Sequence, residues 1–285
     1  MQPPPDMSSV IRHALNPVPT NLAQWIEALR TVEIPVLSYT VRRIQRAADD
    51  EDSVDVNTLA DIVSDDPLMT IRLLRDVAHL PHGRFHSTPQ TASEAVMLMG
   101  ITPFLRNYTV LPTVQDRLAD LPEALAGLTS VVVRAYRAAR FAIAFASQRD
   151  DPDSAVLHEV ALVHDFGEML LWLHAPVQAL QVLQLKASRP GLRSHDAQLE
   201  VLGIDLVDLR QALMLAWRLP ETLLRAADTQ HARSAKARTI DLAVRLARHT
   251  VADWHHPALR EDVRDTAALL NLGLEPTRRL LPTLA

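Results

Sequence analysis

The chain is predicted to be all-α, and three observations carry that expectation. Alanine and leucine dominate segments whose apolar residues recur three and four positions apart, the period of a helix with one buried face. Glycine is scarce, 7 in 285 residues, while many of the 19 prolines stand where such segments begin, a position at which a missing N–H costs nothing. No stretch alternates apolar and polar residues as a half-buried strand would, and no internal repeat is visible.

The elements follow in order. Residues 1–19 hold five prolines and read as an irregular tail. Thr20 is placed to cap a helix over 21–30, with Leu22, Trp25, Ile26 and Leu29 on one face. Pro35 is expected to open a second helix reaching about residue 48. Asp49, Asp50, Glu51 and Asp52 read as a solvated acidic loop. A short helix covers 56–63. Asp66 as N-cap and Pro67 at the first helical position then start another, which runs to about residue 78. His79, His82 and His86 lie in or beside a polar loop over 80–90, and their spacing matches no common ligand pattern. Thr91-Ala-Ser-Glu94 has the form of a capping box for a helix over 92–99, which Gly100 stops. The next helix is expected from about Pro103, broken near Pro112.

Leu121-Pro122 marks the seam between an N-terminal part, 20–121, and a C-terminal part, 122–285. A long helix over 123–147 carries Arg134, Arg137 and Arg140 at every third position, read as a solvated face. One helix is expected over 154–174. Shorter ones follow over 176–191, 194–202, 205–217, 220–230, 235–251, 257–272 and 276–281, each starting at or just after Pro, Ser or Asp.

Composition narrows the chemistry. Hydrophobic residues make up 48% and charged ones 22%, enough for a substantial core. The absence of cysteine excludes disulfides, thiol catalysis and cysteine metal sites. Neither G-x-G-x-x-G nor G-x-x-x-x-G-K occurs, which argues against glycine-rich phosphate loops. The start, Met1-Gln-Pro-Pro-Pro-Asp6, is unlike a secretory leader. Every apolar run falls far short of the ~20 residues that span a bilayer. The chain is read as cytoplasmic, with no membrane partner. A net charge of −5 gives no sign of a nucleic-acid partner.

The chemistry-bearing stretch is Ala161-Leu-Val-His164-Asp165-Phe-Gly167-Glu168-Met-Leu-Leu171. Neutral imidazole and carboxylate can share one divalent ion, but a hydrolytic centre needs at least three ligands and an open position. His158 lies two helical turns before Asp165, roughly 10 Å away, too far to share an ion. His174 reads as a helix C-terminal residue, and His255-His256 as a surface feature at a helix boundary. Glu168 could act as a base only beside a metal or substrate, and is otherwise expected to be exposed. No serine or threonine sits in a nucleophile elbow. Residues 225–248 carry six basic side chains against Asp228 and Asp241. Among them Arg233, Lys236, Arg238 and Arg245 are candidates for anion binding, with ordinary surface charge as the competing reading.

The order of motifs resembles the HDOD family, bacterial signalling proteins related to HD-type metal-dependent phosphohydrolases. Ile34-Pro35-Val36 matches the start of the first family helix. Val63-Ser-Asp-Asp66-Pro67-Leu-Met69-Thr-Ile-Arg-Leu73-Leu74 is similar to I-x-x-D-P-x-L-x-x-x-L-L, with Val63 and Met69 as conservative departures. Ala92 through Leu98-Met-Gly100 to Leu105-Arg106 resembles A-x-x-x-L-G…L-R with one extra residue before the glycine. Ala161-Leu-Val-His164-Asp165-Phe-Gly167 resembles L-L-H-D-I-G. Glu200-Val-Leu-Gly203 with Trp217-Arg-Leu-Pro220 resembles the E…G…W-x-L-P region. The likeness spans about 34–231.

The resemblance implies a two-lobed all-helical fold, an N-terminal bundle joined to an HD-like lobe. It also implies a regulatory role without catalysis, exercised through contacts with signalling proteins, among them members of cyclic-dinucleotide or two-component systems. An HD enzyme adds to the pair a histidine on the preceding helix and an aspartate on a late one. Here those positions fall at Arg134 and near Val244, with Asp241 available only in a shifted register. The family's other histidine position falls near Leu206, and the pair after W-x-L-P survives at most as His231. No metal and no cofactor is therefore expected. Arg134 is expected to stand in the former metal position and pair with Asp165. The candidate ligand or partner site is Arg134, His164, Asp165 and His231. The alternatives are an HD-type phosphohydrolase and a nucleotide-binding sensor.

Overall fold

The computed structural model describes residues 14–80, 89–228, 234–251 and 253–284. Among them the chain is all-α, the nearest approach to a sheet being one isolated parallel bridge between Val36 and Thr113. The first helices are α1 (Leu22–Leu29), α2 (Ser38–Asp49), α3 (Val56–Ser64), α4 (Pro67–Ala78), α5 (Ala92–Met99), α6 (Ile101–Tyr108) and α7 (Val114–Arg117). The long α8 (Pro122–Gln148) leads into α9 (Ser154–Val163), α10 (Phe166–His174), α11 (Pro176–Ser188) and α12 (Ser194–Leu202). The chain closes with α13 (Leu206–Ala216), α14 (Glu221–Ala227), α15 (Ala235–His249), α16 (Leu259–Leu270) and α17 (Leu274–Leu284).

Several starts follow from caps that are local in sequence. Asp66 accepts from Leu68 N and Met69 N with Pro67 at the first position of α4, and Thr91 accepts from Glu94 N at α5. Gly100 ends α5 with φ of 82°, a conformation that favours glycine.

Four expectations need correction. The cap of α1 is Asn21, which accepts from Gln24 N, while Thr20 donates its hydroxyl to the Gln24 side chain. Pro35 does not open α2. Val36 is held extended, donating to Pro112 O and accepting from Val114 N, so the helix waits until Ser38. Pro103 does not open α6 either: the helix starts at Ile101 and the proline is absorbed in its first turn. Most important, 154–174 is two helices. The chain leaves α9 after Val163 and re-enters helix at Phe166, with Asp165 at φ −96°, ψ 21°.

The buried apolar side chains form one continuous cluster from Trp25 to Leu281. Helix α8 runs through it, packed on α9, α15, α10 and α11. Its buried stripe is largely alanine (Ala135, Ala138, Ala139, Ala142, Ala146), and small side chains let neighbouring helices approach closely. Helix α9 is packed on α8, α15, α14 and α4, which joins the early and late parts of the chain. Two indoles tie the same parts by hydrogen bonds: Trp25 donates to Leu202 O at 3.2 Å and Trp217 to Arg30 O at 2.8 Å. No helix among the described residues is long and apolar enough to cross a membrane.

Candidate functional site

The break between α9 and α10 puts His164 and Asp165 side by side, facing α8, α13 and α15. Both are buried, with 6% and 9% of their surface exposed. Buried polar groups of this kind must find partners, and here the partners are guanidinium groups.

Arg134 on α8 donates Nε to Asp165 Oδ2 at 3.0 Å and Nη2 to Glu168 at 2.5 Å. Arg248, in the last turn of α15, donates to Asp165 Oδ1 at 2.7 Å. His164 Nδ1 lies 2.8 Å from that same oxygen. On the far side of the ring, Arg210 of α13 approaches His164 Nε2 to 2.6 Å and donates to Ala227 O at 2.7 Å. The tautomer follows from this geometry. A guanidinium only donates, so Nε2 accepts, and Nδ1 carries the proton that it donates to Asp165.

The protonation states agree. Burial, then Arg210, pull the His164 pKa down to about 4, so the ring is neutral at pH 7. Burial alone would raise Asp165, but Arg248 and Arg134 outweigh it and hold the carboxyl well below the usual range. Burial pulls Arg210 down to about 10, leaving it charged. Burial would also lower Arg134, yet the two carboxylates it grips raise it.

The atoms a divalent ion would use are thus each hydrogen-bonded to a cation. Among the described residues no group of three or more histidines and carboxylates is placed to hold a metal ion. Val244 is buried, and Asp241 is held by Arg245 at 3.5 Å.

The other candidates are dispersed. Arg245 is taken up by Asp262, Asp265 and Asp241, so its charge is engaged within the fold. Lys236 pairs with Asp153, and Arg238 lies exposed on α15. His231 and Arg233 lie outside the described residues, as do His82 and His86. Two further expectations are corrected. Glu168 is half-buried and paired with Arg134 instead of exposed. Arg134 and Arg137 are half-buried, Arg137 donating to Thr250 Oγ1 at 2.8 Å, and only Arg140 lies on a solvated face.

Sequence reasoning missed Arg210 and Arg248 as members of this cluster, and a signal for them exists. Each lies four residues after a position where the family resemblance leads one to expect a histidine or an aspartate and the chain carries an apolar residue, Leu206 and Val244. Residues i and i+4 share a helix face, and arginine is long enough to reach back one turn.

A cleft of about 1230 Å³ opens beside the cluster. Arg134, Arg210 and Arg248 line it together with Lys186, Trp172 and Leu183.

Comparison with known proteins places the chain. The model of the HDOD domain family matches residues 34–233. No curated protein matches. Among solved structures, the MmoQ response regulator of Methylococcus capsulatus is similar with 22% identity and a TM-score of 0.67, over 89% of this chain and 99% of that one. A virulence factor of Campylobacter jejuni is similar with 18% identity and a TM-score of 0.60, over 88% of this chain and 89% of that one. At these identities the likeness is one of fold.

Proposed function

Because the chain belongs to the HDOD domain family, we propose that it is a regulatory protein of signal transduction that acts through protein contacts and carries out no hydrolysis. The observation that supports this reading is the bond from Arg210 to His164 Nε2. A metal needs that lone pair, and Arg210 would have to withdraw and leave a buried charge behind before an ion could take it. The saturation of Asp165 by Arg134, Arg248 and His164 points the same way. On this reading the ligand set does not fit a divalent ion. The pair has become the polar hub joining α8, α10, α13 and α15. Its partners are signalling proteins, of the two-component or cyclic-dinucleotide kind. The response regulator MmoQ, which shares the fold, gives that choice its direction.

Elemental mass spectrometry on protein purified without chelator tests the reading. The expected result is far less than one equivalent of iron, manganese or zinc. Near-stoichiometric metal that disappears in Asp165→Ala would overturn it and favour an HD-type phosphohydrolase.

A further inference from the structure

The cleft beside the His–Asp cluster carries more positive charge than the fold consumes. Arg134, Arg248 and Lys186 interact with one another's fields around the two carboxylates of Asp165 and Glu168. Arg134 spends itself on both carboxylates. Arg248 gives Asp165 only Nη2. Its Nε and Nη1 have no acceptor among the described residues, and 45% of its side chain is exposed. Lys186 donates to the hydroxyl of Ser194 at 2.7 Å and is paired with no carboxylate among the described residues. A lysine held near two arginines gains from any anion that reaches it.

The rest of the wall is of a different kind. Leu171 and Trp172 from α10 and Leu180 and Leu183 from α11 line the same cleft. Leu183 is 52% exposed, apolar surface that the fold leaves uncovered in the cleft. Gly127 on α8 makes room for the indole: a Cβ there would come within 2.4 Å of the Trp172 ring. An apolar wall facing a few convergent polar groups is the usual make-up of a small-molecule site, and the volume suits a ligand of nucleotide size.

We infer that this cleft binds a small organic anion, its acidic head on Arg248 and Lys186 and its apolar or aromatic body along Leu171, Trp172, Leu180 and Leu183. The ligand is the input that the regulatory protein reads. It meets α10, α11 and α15 at once, so occupancy would bias how these helices sit against α8. The head is an oxyanion, phosphate or carboxylate. This inference rests on the reading that no metal occupies the pair.

The test is calorimetry on the full chain at low salt with guanosine 5′-monophosphate and, separately, decanoate, with neutral guanosine as control. At least one anion is expected to bind with a Kd below about 100 µM, and guanosine is expected not to bind. Binding of the nucleotide alone assigns a phosphate head, of decanoate alone a carboxylate, and of both an unselective oxyanion site. Arg248→Gln and Lys186→Gln should each weaken binding about tenfold, and Leu183→Glu should abolish it. Lys186 and Leu183 hold no buried charge pair, so their variants should keep the wild-type circular dichroism. Failure of both anions to bind, or binding indifferent to all three substitutions, overturns the inference. Metal-free protein that binds neither probe removes only this inference, whereas stoichiometric metal at the pair removes the proposed function beneath it.

Discussion

At the scale of the residue, guanidinium groups from three helices surround one histidine–aspartate pair. A carboxylate and an imidazole that could share a divalent ion are satisfied by three arginines, which donate where a metal would accept lone pairs. Arg134→Ala is expected to cost roughly 3 kcal/mol, because it leaves Asp165 half-paired and Glu168 unpaired at a largely buried site. Chemical denaturation measures it, and an unchanged midpoint would show that the ion pairs are idle. Protonation gives a second test. His164 has its folded pKa lowered from 6.5 to about 4, so the unfolded chain binds the extra proton and stability falls as pH drops through that window. Glu159 is opposite in sign. Burial pushes its carboxyl from 4.5 up to about 8, against the bond it accepts from Ala92 N, so stability falls as pH rises through that window. The two effects offset each other between about 4.5 and 6.5. Melting temperature should therefore be highest there and decline toward pH 8. Glu159→Gln keeps an acceptor for Ala92 N and should remove the alkaline decline. A variant that melts like wild type at pH 8.5 would contradict the assignment.

At the scale of the element, the same residue type acts differently according to what lies across from it. Gly127 sits inside α8, where glycine is normally worth about 1 kcal/mol less than alanine. On propensity alone Gly127→Ala should stabilise. The ring of Trp172 reverses the sign, since it lies 2.4 Å from the position of the added carbon and is itself buried. Expected is a loss of about 1–3 kcal/mol from overpacking, read by thermal denaturation and by a change in tryptophan emission. Asp66 shows the same layering. Its Oδ1 caps α4, which is legible from Asp-Pro in the sequence. Its Oδ2 accepts from Leu37 N and Thr40 Oγ1 and fixes α2 against α4, which no local pattern announces.

At the scale of the whole molecule, the seam at Leu121-Pro122 is a division in sequence across which the core is continuous. Helix α9 packs on α4 from across it, and Trp217 donates to Arg30 O from across it as well. We propose that the two-lobed division expected from the family is one of architecture and not of independent folding. Fragments 20–121 and 122–285 produced separately should each show much reduced helical circular dichroism, because each would expose its half of the shared apolar surface. An N-terminal fragment that melts cooperatively by itself would show that it is a separate folding unit.

The helical class and most helix positions were legible from periodicity and caps, and the family from its motifs, each of them a short-range pattern in the chain. Asp66-Pro67, Thr91…Glu94 and Gly100 marked their boundaries because a cap is made within three or four residues. His164-Asp165 was legible as a candidate site for the same reason, the two residues being adjacent in the chain. The break at that pair was not, because nothing in an apolar run shows that arginines from two other helices will be set against its carboxylate. Arg210 and Arg248 were equally hidden: 46 and 83 residues separate them from their partners, and an ordinary arginine on an amphipathic helix looks the same whether it faces water or a buried carboxylate. Which charges were neutralised, and which remained free to face the cleft, was decided only when packing set the helices side by side and removed the water between them.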